Sequence, residues 1–146
     1  MKQMKKVVVV VLALVLCMAV LTGCSVNKSP QSVAKAYVAA SASMDYDKML
    51  KCMDTSSMTK EQKDAGKALV ELGKSMMSED AKAEAKSHKF KSYEKVSGTD
   101  TTEIGKVTIA YKKDGKGDAI EKTTTVPFIK IDGKWYVGVG VGSLFD

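Results

Sequence analysis

Three cysteines and one histidine are the side chains of this 146-residue chain best suited to nucleophilic or metal chemistry. Cys17 lies inside an apolar run, Cys24 follows that run in the stretch Leu21-Thr22-Gly23-Cys24, and Cys52 sits in the helical pattern KMLKCM. A free Cys among apolar neighbours usually behaves as a small buried hydrophobe. Cys52 is read that way, with a reactive or pairing thiol as the alternative. His88 stands between Ser87 and Lys89, where a helical pattern gives way to a strand pattern. A general base needs a partner within hydrogen-bond reach, and the sequence positions none. His88 is therefore expected to be an exposed junction residue. One His and one Cys do not supply the ligands of a zinc site, so no metal is expected. No phosphate-cradling glycine loop, Ser–His–Asp order or calcium-loop spacing occurs, and the GKGD stretch is too short and polar to count. No catalytic residue and no cofactor are expected.

Cys24 is different because of what precedes it. The chain opens MKQMKK, with Lys2, Lys5 and Lys6 ahead of the apolar run Val7–Leu21. A positive start, a short apolar stretch and small residues at a cut site make a secretory signal. The run is 15 residues long, and a membrane-spanning helix needs about 20, with a lower limit of roughly 17. Counting through Thr22 and Gly23 reaches that limit, so length does not exclude a span. Leu21-Thr22-Gly23-Cys24 resembles the lipobox of bacterial lipoproteins. The resemblance implies a diacylglyceryl thioether on Cys24 and cleavage between Gly23 and Cys24. Two acyl chains anchor a protein stably where one holds only marginally. The favoured reading is a lipid-anchored chain on the outer, extracytoplasmic face of a cell membrane; an uncleaved anchor and an ordinary secretory cut are the alternatives.

Loss of residues 1–23 removes Cys17, and acylation uses Cys24, so only Cys52 remains and no internal disulfide can form. It also leaves 20 Lys against 17 Asp plus Glu. All the basic residues are Lys. Arg is the usual choice for bidentate phosphate recognition, and its absence, the modest charge and the address argue against nucleic acid as a partner. All-Lys usage suits a Gram-positive source. Residues 24–29 read as a short polar tether, and residues 30–146 as one domain.

The elements that would position any site follow in order. Ser29 and Pro30 suit the cap and first position of a helix that places Val33, Ala36, Tyr37 and Ala40 on a core face. Asp45 caps a short second helix sharing Tyr46, Met49, Leu50 and Met53. Thr59 with Gln62 makes a capping box for a third. Its apolar stripe is Ala65, Ala68, Leu69, Leu72 and Met76, with Lys60, Lys63, Asp64, Lys67, Glu71 and Lys74 on the other side and Lys67 and Glu71 paired four apart. Ser78 starts a short polar fourth helix. Strands follow from Lys89 to Ser97, around KVTIAYKK, from Ile120 to Ile131 and over KWYVGVGVG. Pro127 marks an edge or a bulge, and Asp132-Gly133 a tight hairpin. Trp135, Val137, Val139 and Val141 share one face of the last strand. Gly138, Gly140 and Gly142 leave a bare strip on the other, for a packed helix, a partner or a second copy. Helices followed by antiparallel strands give an α+β fold.

The order SPQSVAKAYVAASASMDYDKMLKCMD, KFKSYEKV, KVTIAYKKDGKGD and VPFIKIDGKWYV resembles small bacterial lipoproteins carrying a domain of unknown function with a cystatin-like, nuclear-transport-factor-2-like fold. The resemblance covers nearly all of residues 29–142. It implies N-terminal helices packed on a curved antiparallel sheet of three to four strands, often around a cone-shaped pocket. Some enzymes of this fold place a carboxylate and a tyrosine there, and Asp45, Tyr37, Tyr46 and Tyr111 are the available parts. Asp45 reads better as a cap and Tyr37 as a core aromatic. Tyr37, Tyr111 and Trp135 are the candidate pocket lining. The expected function is a binding or interaction module for an unidentified small molecule or protein. A pocket enzyme and a structural or envelope accessory protein are the alternatives, and a homodimer is left open.

Overall fold

A computed structural model describes residues 26–138. The signal segment, Gly23, Cys24 and the glycine-valine strip beyond Gly138 lie outside the described residues. Four helices lead, each closed at its start by its own side chain: α1, Pro30–Ala42; α2, Tyr46–Lys51; α3, Lys60–Met76; and α4, Glu79–Ser87. Ser29, Asp45, Thr59 and Ser78 each accept from the backbone N–H three residues on. Such caps satisfy donors that the first turn leaves without partners.

The chain then switches to strands: β1, Lys89–Gly98; β2, Thr102–Tyr111; β3, Ile120–Ile131; and β4, Lys134–Val137. They form one antiparallel sheet in the order β1-β2-β3-β4, so the fold is α+β. A short turn at Lys113–Gly115 follows β2. The β3–β4 hairpin turns through Asp132 and Gly133 at φ 51° and 80°, the two positive values a tight hairpin twist requires.

Pro127 needs a different account from the expected one. It lies in β3, an inner strand, opposite Ile104 with no register shift there. Its carbonyl accepts from Gly138 N–H on the β4 side. N–H and C=O of one extended residue point the same way, so the donor that proline lacks faces the end of β4. The ladder loses little at that point.

One face of the sheet is buried. Glu103, Gly105, Val107 and Ile109 alternate inward along β2, with Val126 and Phe128 from β3 and Trp135 and Val137 from β4. Helix α1 lies on this face with Val33, Ala34 and Val38 almost fully buried, and Cys52 completes the core.

Helix α3 is oriented against expectation. Ala65, Ala68, Leu69, Leu72 and Met76 are all exposed. Its half-buried positions are Lys63, Gly66, Val70 and Lys74. Lys67 bonds Asp47 of α2 at 3.1 Å, and Lys74, not Lys67, pairs with Glu71, at 3.2 Å. Gly66 lets α3 approach Tyr46, whose ring occupies the space a Cβ would need.

Candidate functional site

Neither of the two clefts described below is lined by Tyr37, Tyr111 or Trp135. Trp135 is buried in the core, and Tyr37 and Tyr111 are half-buried against it. Burial pushes the Tyr37 phenol up, opposed by a hydrogen bond with Ser41. Tyr111 stacks on His88, centroids 5.0 Å apart and 6° from parallel. His88 is thus half-buried, not the exposed residue expected. Its Nδ1 donates to the Glu84 carbonyl at 2.9 Å, so the ring helps close the end of α4. Asp45 is a cap, accepting from Lys48 N–H at 3.2 Å. Cys52 is buried, and burial pushes its thiol up to about 11. A thiol so raised carries little thiolate at neutral pH and is a poor nucleophile.

A polar cluster on the buried face went unrecognised in the sequence. Glu103 is only 9 % exposed. The Tyr93 hydroxyl donates to its carboxylate, and Lys95 Nζ lies 3.3 Å from it. Gly105 makes room for this: the Tyr93 ring lies where a Cβ would stand. Burial, with the adjacent Glu103, holds the Tyr93 phenol well above the usual range. The signal was the period of two in β2. Tyr111, Ile109 and Val107 point inward, so Gly105 and Glu103 must follow. The cluster links β1 to β2, and both polar ends of the carboxylate are engaged.

Two clefts among the described residues lie elsewhere. A cleft of about 440 Å³ at the foot of the molecule is lined by Asn27, Leu50, Lys51, Met53, Lys63 and Tyr136, among others. Asn27, from the polar segment ahead of α1, bounds it, because the chain is already docked there. Asn27 Nδ2 donates to the Trp135 carbonyl at 2.7 Å and to that of Lys51 at 3.3 Å, and Trp135 N–H donates to the Asn27 carbonyl at 2.8 Å. The foot cleft combines Lys51 and Lys63 with an apolar wall of Leu50 and Met53. A second cleft, of about 360 Å³, lies between the end of α1, α3 and α4, with Met44, Glu71, Lys74, Lys82 and Lys86 around it. Lys74 and Lys82 are paired there with Glu71 and Glu79 along their own helices. Among the described residues, no group of three or more His, Cys, Asp or Glu could hold a metal. None of the described helices is long and apolar enough to cross a membrane.

No curated protein matches the sequence significantly. One similar solved structure is that of a SEC-C motif containing protein from Rhodopseudomonas palustris. It is 17% identical over 77% of each chain, with a TM-score of 0.48, a likeness that bears on no functional question. The family comparison is firmer. A family model covers residues 22–138, from just before Cys24 to the end of β4, and the chain belongs to that family, described as a domain of unknown function, DUF4878.

Proposed function

We propose that this chain is an extracytoplasmic lipoprotein, held on a cell membrane by an acylated Cys24, whose α+β domain binds a ligand beside the bilayer. One observation carries the reading. LTGC follows a short apolar run and stands three residues before Asn27, the first residue clasped to the sheet. A chain cut before Cys24 would keep every described residue and an anchor next to them. Binding is favoured over catalysis because the buried carboxylate, Glu103, is already engaged by Tyr93 and Lys95. The foot cleft is the proposed site, and its two lysines with an apolar wall suit a ligand with one anionic and one apolar end. Homodimerisation and a purely structural role are the competing readings.

The anchor is tested by feeding cells a clickable palmitate analogue and following the native chain and Cys24→Ala. The native chain should take up label and lose the mass of residues 1–23. Cys24→Ala should stay unlabelled and uncut. Normal processing of Cys24→Ala would overturn the anchor. The binding role is tested by native mass spectrometry of the purified protein. A co-purifying small molecule that is lost in Lys51→Ala/Lys63→Ala supports it. Identical spectra for the two proteins would remove the foot cleft from consideration.

A further inference from the structure

The solvent side of α3 is its apolar side. Leu69, Leu72 and Met76 are 68%, 56% and 77% exposed and recur at helical spacing on one stripe. Ala65 and Ala68 extend it and are exposed too. The helix is held by its other side. Lys67 bonds Asp47, Lys63 borders the foot cleft, and Lys74 borders the second cleft. This reverses the ordinary arrangement, in which a surface helix buries its apolar stripe and exposes its charges. An apolar patch kept on the surface marks an interaction site.

The place of Cys24 in the sequence, three residues before Asn27, says what covers this patch. Asn27 and Lys63 line the same cleft. Cys24 is three residues before Asn27, a reach of about 11 Å. Along α3, Leu69 lies about 9 Å and Met76 about 20 Å beyond Lys63. Cys24 is therefore tied to the end of the molecule at which α3 begins, and the stripe runs along the helix from there. Whether the segment Val7–Leu21 stays in place or acyl chains on Cys24 replace it, the bilayer is presented to α3 at high effective concentration. A second copy of the chain fits less well. Stable protein interfaces bury roughly 800 Å² and 20–30 residues a side, and the stripe offers three large side chains. A bilayer asks only for apolar area on an amphipathic helix.

We propose that α3 lies flat on the bilayer, with Leu69, Leu72 and Met76 inserted at the boundary between headgroups and acyl chains. It is the second membrane contact of a chain tethered beside Asn27, and it fixes how the foot cleft faces the lipid. The proposal rests on the membrane-anchored reading above, but not on the chemistry of the anchor. Lys63 and Lys74 are half-buried and Lys67 is paired with Asp47, so insertion rests on the apolar stripe and not on anionic lipid.

The test uses the full chain purified from membranes and reconstituted in vesicles of phosphatidylcholine, with or without one quarter phosphatidylglycerol. An environment-sensitive maleimide dye is placed on Ala65→Cys in the stripe, or on Glu94→Cys on the far side of the sheet as control. The expected result is a blue shift at position 65, with several-fold stronger quenching by spin-labelled lipid there than at 94, equal in both vesicle types. The triple variant Leu69→Gln/Leu72→Gln/Met76→Gln should lose the shift yet stay in the membrane fraction; all three positions are exposed, so its fold is not at risk. No shift at 65 in protein that stays with the vesicles overturns the proposal and leaves the anchor standing. Protein released by a carbonate wash overturns both. A shift that grows with protein concentration without vesicles overturns it in favour of a second copy. Dye stoichiometry reads the anchor chemistry separately, because an acylated Cys24 takes no dye and a free one does.

Discussion

Glu103 shows how a charged side chain can live on the inner face of a sheet. Its carboxylate takes one hydrogen bond from Tyr93 and lies 3.3 Å from the Lys95 ammonium. Lys95 is exposed and can turn to solvent, but a change at Glu103 disturbs the acceptor of the half-buried Tyr93 hydroxyl, and a polar group left without its partner costs about 1–3 kcal/mol. Glu103→Gln is therefore expected to lower the urea midpoint. Tyr93→Phe should lower it less, since Lys95 still engages the carboxylate; equal midpoints for all three proteins would count against the cluster. Cys52 makes a prediction of a different kind. Its thiol rises from 9.0 to about 11 on folding. A group with a raised folded value binds more protons folded than unfolded, so stability falls as pH rises between the two values. Cys52 contributes fully below pH 9 and loses its share between about 9 and 11. Cys52→Ala should be less stable than the native chain at pH 7, for the methyl-sized space it leaves. The gap between the two should narrow by pH 11. Urea titrations at pH 7, 9.5 and 11 measure it, and a constant gap would refute the assignment.

At the scale of elements, what was legible in the sequence was what is decided locally. Ser29, Asp45, Thr59 and Ser78 cap their helices through bonds spanning three residues, and Asp132-Gly133 makes its turn within four. The strands showed through the alternation of Val107, Ile109 and Tyr111. The orientation of α3 was not legible. Its stripe is a perfect core pattern, yet contacts with Tyr46 and Asp47 of α2 fix the helix the other way round. Period reports that a face is apolar, not what covers it. Two glycines of α3 test this orientation. Gly73 has open space where a Cβ would go, whereas at Gly66 the ring of Tyr46 fills it. A glycine in a helix interior costs roughly 0.5–1 kcal/mol relative to alanine. Gly73→Ala should therefore stabilise by about that much. Gly66→Ala should destabilise, because Tyr46 must leave. Thermal melts of the two variants decide it; a gain in both would mean that α3 does not sit on Tyr46.

At the scale of the molecule, the candidate site depends on bonds between distant parts of the chain. The outer edge of β4 would be an open template for pairing. Two segments close it. Val137 N–H donates to the Cys52 carbonyl at 2.7 Å, and Asp54 N–H donates to the Val137 carbonyl at 3.2 Å. Asn27 does the same at Trp135, across 108 residues of sequence. Nothing local marks Asn27 for this. Within CSVNKS it reads as one polar residue of a tether, and the core aromatics Tyr37, Tyr111 and Trp135 read as better candidates for a site. The long-range bond makes Asn27 the point where the anchor's side of the chain meets the sheet and where the foot cleft begins. Its amide donates to two carbonyls, a role that only a donor can fill. Asn27→Ala should cost about 1–2 kcal/mol through the lost bonds. Asn27→Asp keeps the shape but sets a carboxylate against those two oxygens, so it should cost more than Asn27→Ala. Lys28→Ala, next along the chain and exposed, should be neutral. Urea midpoints in that order, with faster amide exchange at Trp135 and Val137 in the Asn27 variants, are the expected result. If Asn27→Asp matched the native chain, the clasp would not hold β4, and the foot cleft would lose its fixed wall.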